Sequence, residues 1–166
     1  MLVNSYLEHD NYTYYTIHAQ SFLQDYMDWC STPISQRYAM KPFACLLLEV
    51  CALTTQGLGS GALARHIEYD LGEPTDSISR KLHAASMQLS KVLKPGAGGV
   101  RQGLQLLLAA AWTKSEGSIA EAWHHVAAAS REAQECGKVG TSHGSPYILL
   151  TLQVCIDQKR RMTVAK

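Results

Sequence analysis

The sequence predicts an all-α fold, an irregular helical bundle closed by a C-terminal αα-hairpin. Three observations carry the prediction. Apolar residues recur at spacings of three, four and seven along several stretches. No stretch up to residue 137 shows the sustained alternation of a half-buried strand. Glycine, proline and polar capping residues punctuate the apolar runs at helix-length intervals. At 166 residues the chain fits one domain, and a domain of that size buries about 70% of its unfolded surface.

Residues 6–18 are rich in Tyr, His and Asn without a clean period. They read as a helical start that continues into a packed loop. Ser21 and Gln24 have the S-x-x-Q spacing of a capping box, and Phe22, Tyr26 and Trp29 follow on one helical face. Residues 31–41 form a connector. Pro42 suits the first turn of the next helix, where its missing N–H costs nothing. Residues 43–56 are apolar nearly all round, interrupted at Glu49, and predict the central buried helix, with Gly57 as its terminator. Residues 61–71 predict a short helix ending near Gly72. Thr75 or Asp76 then caps a third amphipathic helix, with Ile78, Leu82, Ala85, Leu89 and Val92 on one stripe. Residues 95–99, PGAGG, form a loop.

The hairpin occupies residues 104–137. Leu104, Leu107, Leu108 and Ala111 fall on one stripe, while Leu106, Ala109, Ala110 and Trp112 cover most of the remaining surface, so this helix is buried on several sides. A polar stretch ending in Gly117 breaks the run. Ser118 and Glu121 have the spacing of a capping box. Ile119, Trp123, Val126 and Ala133 make the stripe of the second helix, and Gly137 sits where a left-handed C-cap belongs. Beyond it, KVGTSHGSP has no period, and residues 147–156, YILLTLQVCI, read as either helix or strand. The expected division is a domain over residues 1–137 and a divergent, poorly ordered tail over residues 138–166.

Composition narrows the function. The formal net charge is +1, which supplies no strong basic face for nucleic acid. Lys159-Arg160-Arg161 is a short basic run that reads as a solvated tail. Five cysteines (Cys30, Cys45, Cys51, Cys136 and Cys155) are an odd number with no C-x-x-C pair, against both a disulfide framework and a zinc cluster. Cys45 and Cys51 read as core thiols. The first residues lack the apolar segment of a signal peptide. No apolar run approaches the roughly 20 residues that span a bilayer. The expectation is a soluble, intracellular protein with no membrane contact.

The candidate chemistry is thin. Gly57-Leu58-Gly59-Ser60-Gly61-Ala62 satisfies the dinucleotide-binding spacing, but it follows a helix where such a site follows a strand, so a helix-to-helix turn is favoured. Gly96-Ala97-Gly98-Gly99 lacks the Gly-Lys-Ser/Thr of a phosphate loop. Glu121-x-x-His124 has the spacing used in di-iron bundles, which need that motif twice plus two more glutamates. His124 and His125 are adjacent and point to different faces. There is no G-x-S-x-G elbow, and His143-Gly144-Ser145 lies in the unpatterned tail. Tyr12, Tyr14, Tyr15, His18 and Trp112 are candidate walls of an aromatic effector pocket. Wet tyrosines at the rim of a helical domain are the simpler reading. No catalytic, cofactor-binding or metal-binding residue is assigned, and a non-enzyme is expected.

Four passages resemble, in order, the fungal-specific transcription factor domain, the middle homology region of binuclear zinc-cluster (Zn2Cys6) regulators. The first is Tyr6-Leu7-Glu8-His9 with Ile17-His18 and Phe22-Leu23-x-x-Tyr26-x-x-Trp29. The second is Phe43-Ala44-Cys45-Leu46-Leu47-Leu48 with Val50-Cys51-Ala52. The third is Leu71-Gly72-Glu73 with Leu82-His83-x-Ala85 and Leu89-Ser90. The fourth is Gln105-Leu106-x-Leu108-Ala109-x-x-Trp112-x-Lys114-x-Glu116-Gly117, with Glu121-Ala122-Trp123 and Arg131-Glu132-Ala133-Gln134-Glu135.

The resemblance covers about residues 5 to 137. It implies a nuclear, regulatory domain that acts through protein contacts or a small-molecule effector, without binding DNA itself. Zinc is implied only for the family's N-terminal cluster, whose cysteine spacing this chain lacks. The family pattern continues into an arginine-rich helix with tryptophan where this chain reads KVGTSHGSP, which suggests a truncated or differently spliced product. The alternative is a small helical ligand-binding protein or enzyme that reuses the domain.

Overall fold

The computed structural model describes residues 1–11, 16–94 and 96–139, the last three of these by backbone alone. The described residues are all-α, with no strand among them. Helix α1 spans Leu2–Ser5 and continues as a π-helical turn over Tyr6–Asp10. Helix α2 spans Ala19–Ser31. A 3-10 segment, Ile34–Met40, leads into α3, Lys41–Gly57. Then follow α4, Ala62–Leu71, and α5, Thr75–Ser90. Helices α6, Gly99–Ser115, and α7, Ile119–Val139, make the predicted hairpin.

Helix α3 is the centre of the bundle. It packs against α5 and α6, and α1 with its π-turn crosses it. Pro42 stands in its first turn, as its missing N–H allows. Phe43 is buried between Phe22 and Trp29, with ring centroids 5.4 and 6.1 Å away. Burial of such a ring contributes about 1.5–3 kcal/mol. Val3, Tyr6, Ile17, Leu46, Val50 and Leu108 complete this main core. A smaller cluster of Leu106, Leu107 and Ala129 joins α6 to α7. With the 3-10 segment in front of it, α3 belongs to a continuous helical stretch, Ile34–Gly57, whose most apolar 18-residue window has a mean hydropathy of 1.3. By length and composition alone that stretch could cross a membrane. The linear sequence did not suggest this, because the 3-10 segment read as a connector. In the fold its apolar half is the core helix.

Several local expectations are corrected. His18, not Ser21, caps α2: its Nδ1 accepts the Ser21 N–H at 3.3 Å and meets the Ser21 hydroxyl at 2.9 Å. Pro74 occupies the N-cap of α5, and the Thr75 N–H is satisfied by Glu68 Oε1 at 3.0 Å. Ser118 holds the backbone N-cap position of α7, its carbonyl accepting the Ala122 N–H at 3.0 Å, but no side-chain cap closes there among the described hydrogen bonds. Gly137 does not end α7, which runs to Val139. Gly72, by contrast, does end α4 in the left-handed region, with φ of 68°.

The largest correction concerns which face of a helix is buried. On α5 the buried residues are Thr75, Ile78, Ser79, His83, Ser86 and Ser90. Leu82 and Leu89 are half-buried, while Ala85 and Val92 are exposed. The helix is turned so that Ile78 and a row of polar residues face the core, while the rest of the apolar stripe lies at the edge or outside. On α7, Ile119 is exposed and Ala122, Ala129 and Glu132 are buried. The glycine-spaced segment at 57–62 is the turn between α3 and α4, as its helical context implied.

Candidate functional site

The polar face of α5 meets α3 and α6 in a continuous hydrogen-bonded seam. Its residues recur every three or four positions, so each reaches the same groove between α3 and α6. Ser79 donates its hydroxyl to the Ala52 carbonyl at 2.7 Å and accepts the Trp112 indole N–H at 2.8 Å. Ser86 donates to the Cys45 carbonyl at 2.9 Å and accepts from Gln105 Nε2 at 3.1 Å. Ser90 donates to Gln105 Oε1 at 3.2 Å. Serine suits this groove because it is small enough for close helix approach and satisfies both neighbours with one hydroxyl.

At the middle of the seam, His83 Nδ1 and Glu49 Oε1 share a hydrogen bond of 2.7 Å. Glu49 is fully buried, and its second oxygen, Oε2, has no partner among the described residues. The His83 ring lies flat on Trp112, centroids 3.9 Å apart and planes 11° apart. Such a stacked pair contributes about 0.5–1.5 kcal/mol beyond its burial. His125 of α7 approaches His83 edge-on at 6.4 Å, and its Nε2 is buried without a hydrogen-bond partner. Burial lowers the His125 pKa, and His83 and His124 push in the same direction. Glu121 and Glu49 oppose them. Buried polar atoms left unpaired cost about 1–3 kcal/mol each, so they are uncommon and mark this junction as chemically unusual. Among the described residues no group of three His, Cys, Asp or Glu side chains has metal-binding geometry, this one included.

A separate cleft of about 940 Å³ opens between the N-terminal segment and the start of α6. Leu7, Ile17, Phe22, Leu46 and Leu104 form its apolar wall, and His18, Asp25 and Arg101 its polar one. Arg101 is fixed there by a two-pronged pair to Asp25, at 2.8 and 2.7 Å. The volume and the mixed lining are those of a small-molecule site.

Of the aromatic residues proposed to line a pocket, the two described ones, His18 and Trp112, stand apart. Tyr12, Tyr14 and Tyr15 lie outside the described residues. His18 stands at the cleft, with one ring nitrogen spent on capping α2. Trp112 is not in the cleft lining but in the α5 seam, against His83. Glu121 and His124 are exposed on α7. The signal that could have found the seam was present: Glu49 inside an otherwise apolar helix, and Ser79, His83, Ser86 and Ser90 in one helical register. No protein-family model matches the chain, and neither a curated protein nor a solved structure shows significant similarity to it.

Proposed function

We propose that the chain is a non-catalytic regulatory domain that works through protein contacts, as its resemblance to the fungal-specific transcription factor domain implies. One observation supports this reading above others. His83 and Trp112 come from two separate passages of that resemblance, and they stack on each other at 3.9 Å. Passages that share a structural reason for their wording are expected to meet in the fold. The central passage adds its part as well, since Ala52 accepts the Ser79 hydroxyl that holds Trp112. In this reading the domain acts in the nucleus, tunes a DNA-bound regulator and does not bind DNA itself. The net charge of +1 supports the last point.

The test is to tether the chain to a heterologous DNA-binding domain and activation segment in a fungal reporter strain. Altered reporter output is expected, with no specific gel shift by the chain alone. Unchanged output, or sequence-specific binding by the untethered chain, would overturn the reading.

The cleft favours a second reading, a small helical ligand-binding protein. Its apolar wall and the Arg101–Asp25 pair suit a small, mostly apolar molecule with one polar end. Saturable binding of such a compound, abolished by Leu104→Trp, would support it. An unchanged response in that variant would sink it.

A further inference from the structure

Three ionisable side chains from three helices converge behind Trp112, and the seam described above uses only one hydrogen bond among them. Glu49 comes from α3, His83 from α5 and His125 from α7. His83 has a partner. The other two each keep an unpaired buried atom, Glu49 Oε2 and His125 Nε2. The groups facing His125 are Glu49 on α3, His83 on α5, and Glu121 and His124 on α7 itself, while α6 contributes the neutral Trp112 beside His83. A neutral imidazole is tolerated here. A charged one would carry a buried N–H with no acceptor in hydrogen-bond range, beside a second imidazole.

Helix α7 is held largely through small side chains. The residues it buries include Ala122 and Ala129, with Val126, Ala128 and Ala133 half-covered against Leu106 and Leu107. Alanine buries little apolar area, so less free energy holds α7 than holds the Phe43-centred core. A modest change at one side chain can therefore shift its docking.

We propose that His125 is an acid-sensitive latch: when neutral it lets α7 lie against the junction of α3, α5 and α6, and when protonated it releases α7 from that junction. The sign follows from the lowered pKa of His125 in the docked form. The stabilisation is present above the ordinary imidazole value of about 6.5 and is lost as pH falls below it. A histidine set between helices is the usual means of such a response near neutrality.

Amide hydrogen exchange on the full chain, corrected for the intrinsic pH dependence of exchange, tests this at about pH 7.5 and about pH 5.5, on either side of the ordinary imidazole value. Protection across α7 is expected to fall several-fold at the lower pH while α3 stays protected. His125→Phe is expected to remove that response, and His124→Gln, at an exposed position, to keep it. Equal α7 protection at both pH values, or a wild-type response in His125→Phe, would overturn the latch. Should His125→Phe fail to fold, NMR titration of the unaltered protein decides. A His125 midpoint below that of His124 supports the proposal, and equal midpoints refute it.

Discussion

His83 of α5 lies parallel to Trp112 of α6, with ring centroids 3.9 Å apart, and its Nδ1 reaches Glu49 of α3 at 2.7 Å. One imidazole thereby sets the register of three helices. Its face packs and its edge hydrogen-bonds, and neither contact tolerates a shift of α5 by one residue, which would rotate the side chain by about a quarter turn. The surrounding serines repeat the arrangement along the seam, so the docking of α5 rests on hydrogen-bonded polar groups as much as on apolar burial.

Trp112→Ala removes both the stack on His83 and the donor to Ser79. The expected loss is about 3–5 kcal/mol, read from urea denaturation. Trp112→Phe keeps a ring on His83 but no indole N–H for Ser79, and a smaller loss of about 1–3 kcal/mol is expected. Equal losses in the two variants would show that the hydrogen bond, not the ring, dominates.

The two faces of α5 give a contrasting pair. Ser86→Ala leaves the Cys45 carbonyl and the Gln105 amide without their shared partner, and a destabilisation of about 1–3 kcal/mol is expected. Ala85→Ser, one position away and exposed, is expected to stay within about 0.5 kcal/mol of the parent. Thermal melts of both variants check the ordering. The reverse order would place α5 in the register its apolar stripe predicts.

That rotation shows where the sequence could be read and where it could not. The all-α class, the central helix and the hairpin follow from periodicity, because α3 and α6 are apolar over most of their surface and α7 carries its apolar residues at helical spacing. On α5 the period was right and the phase was wrong. Leu82 and Leu89 attract the eye, but a groove already lined with the Ala52 and Cys45 carbonyls, Glu49, Gln105 and Trp112 selects residues that can hydrogen-bond. That groove is made by other helices, so no reading of α5 alone reveals it. The separation of His18 from Trp112 has the same cause. His18 and Trp112 were grouped by residue type, and the tertiary fold sends one to the cleft and the other to the seam. Capping fared similarly, since a histidine at an N-cap is chemically able but statistically unremarkable.

Asp10 predicts a pH effect of opposite sign to that of His125. Burial raises its carboxyl pKa, and a hydrogen bond from Thr54 and the nearby His9 only partly offset this. A raised carboxyl pKa means stability that is full below the unfolded value of about 3.9 and is lost as pH rises through the folded value. Asp10→Asn is therefore expected to raise the melting temperature at neutral pH and to narrow the gap at acid pH. A lower melting temperature at neutral pH would show that the Thr54 contact outweighs the burial cost.

Thiol chemistry reports the same core. Burial pushes both the Cys45 and the Cys51 thiol up to about 11. Neither is a ready thiolate at neutral pH, and Cys45 is also sealed from solvent. Cys30 is exposed. Iodoacetamide at mildly alkaline pH is expected to label Cys30 well before Cys45 and Cys51, with the latter two reacting only on addition of denaturant. Early labelling of Cys45, seen by peptide mass spectrometry, would mean that α3 is not the buried centre.

The central claim is that the buried Glu49–His83 pair docks α5 on α3. A double-mutant cycle with Glu49→Gln and His83→Gln, followed by urea denaturation, measures it most directly. A coupling of about 0.5–3 kcal/mol between the two positions is expected for residues in direct contact. Additive effects, with no coupling, would contradict the docking of α5 by its polar face.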